Sequence, residues 1–245
     1  MGKFFNLDSP FVQFMNRVAD LMWLNILFLI CCIPFITIGA STTAMYYVTL
    51  KMVRNEESYI ARSFFKSFKQ NFLQATVIWI IFVAAGGMLL LDYRIMSGQT
   101  GVGIGSGTAG MVMQVLLLAV LFFYLFTLVF VFPLLSKFDN TVKNTMKNAL
   151  FMSIRHFPVT LGCISLFIII LILIYKIPVM TALSLILGFS TAAYICSFMF
   201  VRVFDNYIPS EGSSESGVED AASGMTGTSV VEESNEPDTS GIPEA

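Results

Sequence analysis

Five apolar stretches, Leu21–Ile38, Leu73–Leu91, Met111–Leu135, Val159–Tyr175 and Val179–Val201, take up most of residues 20–201. A helix rises 1.5 Å per residue, so about 17–25 apolar residues cross the roughly 30 Å hydrocarbon layer of a bilayer. The chain is therefore read as an all-α membrane protein with five transmembrane helices, and the lipid bilayer is its first partner. Hydrophobic residues make up 56% of it and charged residues only 12%, about half the charge of a soluble domain.

The net charge of −2 averages two unlike parts. Residues 1–207 hold all 14 Lys and Arg and seven acids; residues 208–245 hold nine acids and no base. The first part is the integral membrane domain. The second is Gly, Ser, Thr, Pro and acid with almost nothing to bury, and reads as a disordered cytoplasmic tail.

Basic residues in short loops set orientation. Lys51, Arg54, Arg62, Lys66 and Lys69 follow the first span, Lys137, Lys143, Lys147 and Arg155 the third, and Arg202 the last. Only Lys3, Arg17, Arg94 and Lys176 fall on the other side of a five-span count. This predicts an external N-terminus and a cytoplasmic C-terminus. A cleavable signal peptide competes for the first span, since Ile38-Gly39-Ala40 is small. The lack of a basic start and the presence of Asp8 and Asp20 favour a retained helix.

Ser9 or Asp8 can cap a helix carrying Pro10 in its first turn, and Phe11, Met15, Val18 and Met22 then recur at helical spacing. Pro34 is expected to kink or end that helix. Ser41–Val53 is read as lying at the inner interface or as partly re-entrant. Two connections then share a design. In one, Ala61, Phe65, Phe68 and Phe72 are apolar beside Arg62, Lys66 and Lys69. In the other, Val142, Met146, Leu150 and Phe157 are apolar beside Lys143 and Lys147, with Asp139 or Asn140 as caps. Each is predicted to be an amphipathic helix on the anionic inner leaflet. Their plainest role is topological anchoring; their functional role is docking, through Arg62, Phe65, Lys66, Phe68, Lys69, Lys143 and Lys147. Lys51–Ile80 and Lys137–Phe167 present the same order of parts, the pattern of a duplicated hairpin.

Chemistry-bearing groups are scarce. Cys31, Cys32, Cys163 and Cys196 lie in spans without a CxxC pair and read as small packing residues. His156 is the single histidine, with no carboxylate pair, nucleophile–base arrangement or metal-ligand spacing near it in sequence. The chain is thus expected not to be an enzyme, to need no cofactor or metal and to bind no nucleic acid. Gly105, Gly107 and Gly110 form a GxGxxG, but a span follows and Phe130 stands where a dinucleotide fold needs an acid. The spans hold no Asp, Glu, Lys, Arg or His between their ends, which argues against ion-coupled transport. Asn25 and Gln114 are the candidate intramembrane polar contacts, Asn25 chiefly as interhelical glue. Ala84, Gly86, Gly87 and Leu91 give the second span a small-residue face.

Phe4-Phe5-Asn6-Leu7-Asp8-Ser9-Pro10-Phe11, Ala19-Asp20-Leu21, Pro34 with Thr37-Ile38-Gly39-Ala40-Ser41-Thr42-Thr43-Ala44 and Tyr46-Tyr47 resemble the opening of the YesL-type family of bacterial membrane proteins. The likeness continues through Lys51-Met52-Val53-Arg54-Asn55-Glu56-Glu57 and Ser63–Phe72, and covers about residues 1–207. It implies a small multi-pass protein of the bacterial cytoplasmic membrane, without an established activity, associated with carbohydrate uptake and degradation. It supplies no catalytic or binding residue. The resulting expectation is an accessory or regulatory protein of a sugar-uptake system, partnered by a transporter subunit or a membrane sensor. The alternative is a small permease for an uncharged solute, working as a homo-oligomer.

Overall fold

The computed structural model describes residues 10–56, 59–96, 108–138 and 140–206. The proposed helix caps Asp8 and Ser9, most of the glycine-rich loop and the acidic tail lie outside them. The described residues are helical, and five helices are long and apolar enough to cross a membrane. Through Phe204 they belong to one compact unit.

Helix α1, Pro10–Cys32, starts on its proline, whose missing N–H would be unpaired there anyway. It ends six residues before the end of the first apolar stretch. Pro34 cannot donate to the preceding turn and pushes Ile33 out of helical geometry, so a single 3₁₀ turn, Phe35–Thr37, intervenes. The apolar run is continuous in sequence but not in helix.

Helix α2, Ile38–Val53, resumes at once, and eleven of its sixteen residues are buried, which makes it the centre of the bundle rather than a surface segment. Gly39 lets it approach helix α3, Ile60–Met96, very closely: a Cβ there would sit 2.6 Å from the Ala75 carbonyl oxygen and 2.7 Å from Trp79 Cβ. Ala40, Ala44 and Ala75 are fully buried around this contact. Thr42 and Thr43 satisfy their hydroxyls on the carbonyls of Ile38 and Gly39 (2.8 and 3.0 Å), so their polarity is hidden from the interface. That is why a sequence rich in Ser and Thr can form a core helix.

α2 closes with a Schellman motif. Asn55 adopts φ 55°, the left-handed conformation asparagine tolerates best after glycine; its N–H reaches Met52 O (3.2 Å) and the Glu56 N–H reaches Lys51 O (3.1 Å). The turn reverses the chain into α3, which runs 37 residues without interruption, about 55 Å. Its buried line, Phe64, Ser67, Asn71, Ala75, Ile78 and Phe82, advances in steps of three or four residues. The expected first amphipathic surface helix is therefore the lower part of α3, continuous with the span above it.

Helix α4, Thr108–Lys137, returns antiparallel: Trp79 meets Phe132 and Phe82 meets Tyr124, whose hydroxyl donates to Phe82 O (3.1 Å). Helix α5, Val142–Arg155, begins after Thr141 rather than on Asn140, Asp139 lying outside the described residues, and is a separate helix as predicted. His156 breaks the chain before helix α6, Phe157–Lys176. Helix α7, Pro178–Leu183, passes through a π turn, Ser184–Gly188, into helix α8, Phe189–Asp205. Tyr46 of α2 packs edge-on against Phe200 of α8, which meets Phe130 of α4; Thr49 shares a hydrogen bond with Ser197 (2.8 Å).

Arg17, in α1, donates to Met52 O (2.7 Å) and to the Asn55 side-chain oxygen. The N-terminal half of α1 thus lies beside the α2–α3 turn. Pro34 is the physical reason: it ends α1, and α2 folds back antiparallel beside it.

Candidate functional surface and intramembrane contacts

The docking residues singled out from the sequence divide into two groups. Along the lower half of α3, Arg62, Lys66 and Lys69 are exposed, and Phe65 stands 43% exposed among them. Phe68 is not available in the same way. Its ring lies 6.2 Å from Phe64 and 5.5 Å from Phe72, packed onto the core. The buried stripe is thus one residue away from the stripe read off the sequence, because small polar Ser63, Ser67 and Asn71 face inward and release Phe65. On α5, Lys143 and Lys147 are exposed, while Thr145, Ala149, Met152 and Ser153 face the bundle.

Between α1 and the α2–α3 turn is a cleft of about 490 Å³ that the sequence does not announce. Arg17, Asp20, Asn55, Glu56 and Tyr59 line it, with Met52 and Ile60. Arg17 donates to the Met52 carbonyl in the last turn of α2, where a cation complements the helix dipole. Lys51 stands 4.0 Å from Glu56 and 5.0 Å from the Tyr47 ring centre. The legible signal was a lone arginine in α1 together with Arg54-Asn55-Glu56, a left-handed cap without glycine.

The intramembrane candidates are not brought together. Asn25 is fully buried; its amide donates to Leu185 O (2.6 Å) and its oxygen accepts from Ser190 N–H (3.2 Å). The π turn at Ser184–Gly188 misaligns the α7–α8 backbone, and Asn25 takes one acceptor and one donor that this leaves for a neighbour. Ser190 Oγ in turn donates to Leu21 O (2.7 Å). These bonds pin α1 to α8. Gln114 is exposed on the N-terminal half of α4, and no bond joins it to them. The small-residue face is only partly used: Gly86 lies against the Tyr124 hydroxyl, whereas nothing approaches Gly87.

Cys163 and Cys196 are fully buried free thiols, and Cys31 and Cys32 are free and half-buried beside the α1–α2 tip. His156 caps the α5–α6 break, and its carbonyl accepts from Val159 N–H and Thr160 N–H (3.0 and 3.1 Å). Partial burial, then the charge of Arg155, hold its imidazole below the ordinary 6.5. Among the described residues no group of three His, Cys, Asp or Glu is placed to hold a metal.

A family model described as a protein of unknown function, DUF624, matches residues 21–93, which run from α1 through α3 and contain most of the residues on which the resemblance rests. No curated protein and no solved structure matches the chain. The chain is a helical protein of membrane type, similar over its α1–α3 region to a family of unknown function.

Proposed function

We propose that this chain is a non-enzymatic accessory or regulatory protein of the bacterial cytoplasmic membrane that docks a protein partner on its basic end. The observation that carries the reading is Phe65, a large apolar side chain exposed among Arg62, Lys66 and Lys69 on a helix that continues unbroken into a span-length apolar stretch. A phenylalanine ringed by cations suits a partner offering an apolar pocket with an acidic rim. A carbohydrate-uptake system as the setting is supported by the YesL-type resemblance.

In this reading the basic end faces the cytoplasm. Arg17, Lys51, Arg54, Arg62, Lys66, Lys69, Lys137, Lys143, Lys147, Arg155 and Arg202 belong to it; Arg94 and Lys176 belong to the other. With α1 folded back, Arg17 joins the majority, and the asymmetry is stronger than the ten-to-four split of the five-span count. The permease alternative gains no support from its two contacts, since Asn25 is occupied by α8 and Gln114 stands apart.

Phe65→Asp, with the exposed Leu73→Ala as a control, tests the docking surface. In mild detergent extracts of native membranes, a stoichiometric partner is expected with the parent and with Leu73→Ala, and to be lost with Phe65→Asp. A complex that survives Phe65→Asp sinks this interface, and a homo-oligomer alone turns the proposal toward self-association.

A further inference from the structure

Non-helical backbone survives at membrane depth only where its polar groups are satisfied inside the protein. At the break between α1 and α2, several backbone groups are satisfied in this way. The Ile33 N–H takes Ile30 O (3.3 Å) and the Thr37 N–H takes Pro34 O (3.0 Å). The Thr37 hydroxyl is shared between Cys31 O (2.6 Å) and Pro34 O (2.7 Å). The indole N–H of Trp79, from another helix, donates to Phe35 O (3.0 Å). Four carbonyls opened by the break are thus each covered. The side chains do the opposite: Ile33, Phe35 and Ile36 are 80%, 60% and 57% exposed. Covered backbone with bare apolar side chains is the reverse of an aqueous turn, which leaves its carbonyls to water.

Trp79 fixes the depth. It lies ten residues beyond Lys69 and thirteen short of Asp92, the charges that bracket the apolar part of α3. At 1.5 Å per residue those are about 15 Å and about 20 Å, so the Phe35–Trp79 contact falls near the middle of a layer of roughly 30 Å. The tip stops short of the layer where Tyr124 meets Phe82. Trp23, 52% exposed on α1, stands nine residues before Cys32, the last residue of that helix, which puts it about 13 Å below the tip. That places it at the headgroup level preferred by tryptophan.

We propose that α1, the Phe35–Thr37 turn and α2 form a re-entrant hairpin that enters and leaves through the basic face, with Ile33, Phe35 and Ile36 immersed in lipid acyl chains at about half depth. The partner of this surface is the hydrocarbon of the bilayer. The hairpin rests on the membrane reading but not on the docking surface.

Nitroxide probes in phosphatidylcholine–phosphatidylglycerol liposomes test it. Ile36→Cys is labelled in a Cys31→Ala, Cys32→Ala background, the two remaining thiols being fully buried. Ile80→Cys on α3, exposed one residue from Trp79, gives the mid-depth reference; Lys143→Cys and Lys176→Cys give the two surfaces. The expected result is an oxygen-to-nickel-chelate collision ratio at Ile36 nearer that of Ile80 than that of either surface. A ratio nearer either surface overturns the hairpin. Should Ile80 itself collide freely with the chelate, the membrane reading fails instead. Ile33→Cys replaces Ile36→Cys if the latter does not fold.

Discussion

The stretch from Ile60 to Phe82 and the stretch from Thr145 to Phe167 keep one register, 85 residues apart. Phe64 and Ala149, Ser67 and Met152, Ala75 and Thr160, Ile78 and Cys163 are all buried in corresponding places. Yet the first is a single helix running from the basic surface into the span, and the second is two helices broken at His156. Leu73 and Pro158 are the corresponding residues where they part. A proline lacks the N–H that would continue the ladder and disfavours helix in the residue before it. The lesson is that hydrophobic register decides which face is buried, while one backbone-breaking residue decides whether a basic segment is rigidly coupled to its span.

The strongest way to break the comparison is to move the proline. Leu73→Pro removes the N–H to Lys69 O and drives its ring at that carbonyl, at a side chain that is 77% exposed and contributes little packing. A loss of about 3 kcal/mol or more is expected in unfolding measured in mixed micelles. Leu73→Ala is expected to unfold near the parent. If Leu73→Pro behaves like Leu73→Ala, helix continuity through this level is not needed.

Next in size is the bond that holds the second region's break. Thr160 donates its hydroxyl to Ser153 O (2.8 Å), seven residues back across the gap, and to His156 O (3.2 Å). Its counterpart Ala75 has no such duty and serves the close approach of Gly39. Thr160→Val keeps the shape and leaves a buried carbonyl unpaired, at an expected cost of about 1–3 kcal/mol. Ala75→Ser, by contrast, gains no partner across a break that α3 does not have.

Pro158→Ala should matter less than its position suggests. The Thr160 bond and the Val159 and Thr160 amides on His156 O still define the turn. The main expected effect is a more flexible unfolded chain, about 0.4–1 kcal/mol. A gain in stability would instead show that the proline was holding α5 and α6 apart against a favourable fused helix.

Much of this contrast was readable in the residues, and the places where it was not share a cause. The upper spans of α3, α4 and α6 stand where continuous apolar sequence puts them, because lipid accepts any apolar side chain on any face. The hairpin was hidden for the same reason. Ile33, Phe35 and Ile36 keep the apolar run going through a backbone break, so hydropathy registers a span where geometry has a turn. α2 was hidden by the opposite feature. Ser41, Thr43 and Thr49 read as polar, although Thr43 and Thr49 spend their hydroxyls on the backbone one turn back and Thr49 also meets Ser197. The buried stripe of α3 lies one residue from the aromatic spacing because small Ser63, Ser67 and Asn71 let the helices touch. Asn25 was legible as glue, but its partners depend on a π turn that no local pattern signals.

The smallest effect separates the two regions by pH. Asn71 holds the register position of His156; it is buried and bonded to Ser67, its amide donating to Ser67 O (3.2 Å), and cannot titrate. His156 can. Its folded pKa lies below the 6.5 of the unfolded chain, chiefly through burial. As pH falls through about 6.5 the unfolded chain takes up a proton before the folded one does, so the histidine's contribution is complete above that pH and is lost below it. The imidazole is only partly buried, so the change is small and is read as a difference between variants. The parent is expected to lose slightly more stability between pH 7.5 and pH 5.5 than His156→Gln, while Asn71→Gln follows the parent's slope. An equal or steeper loss in His156→Gln would mean that the break at α5–α6 is indifferent to the charge on the residue that caps it.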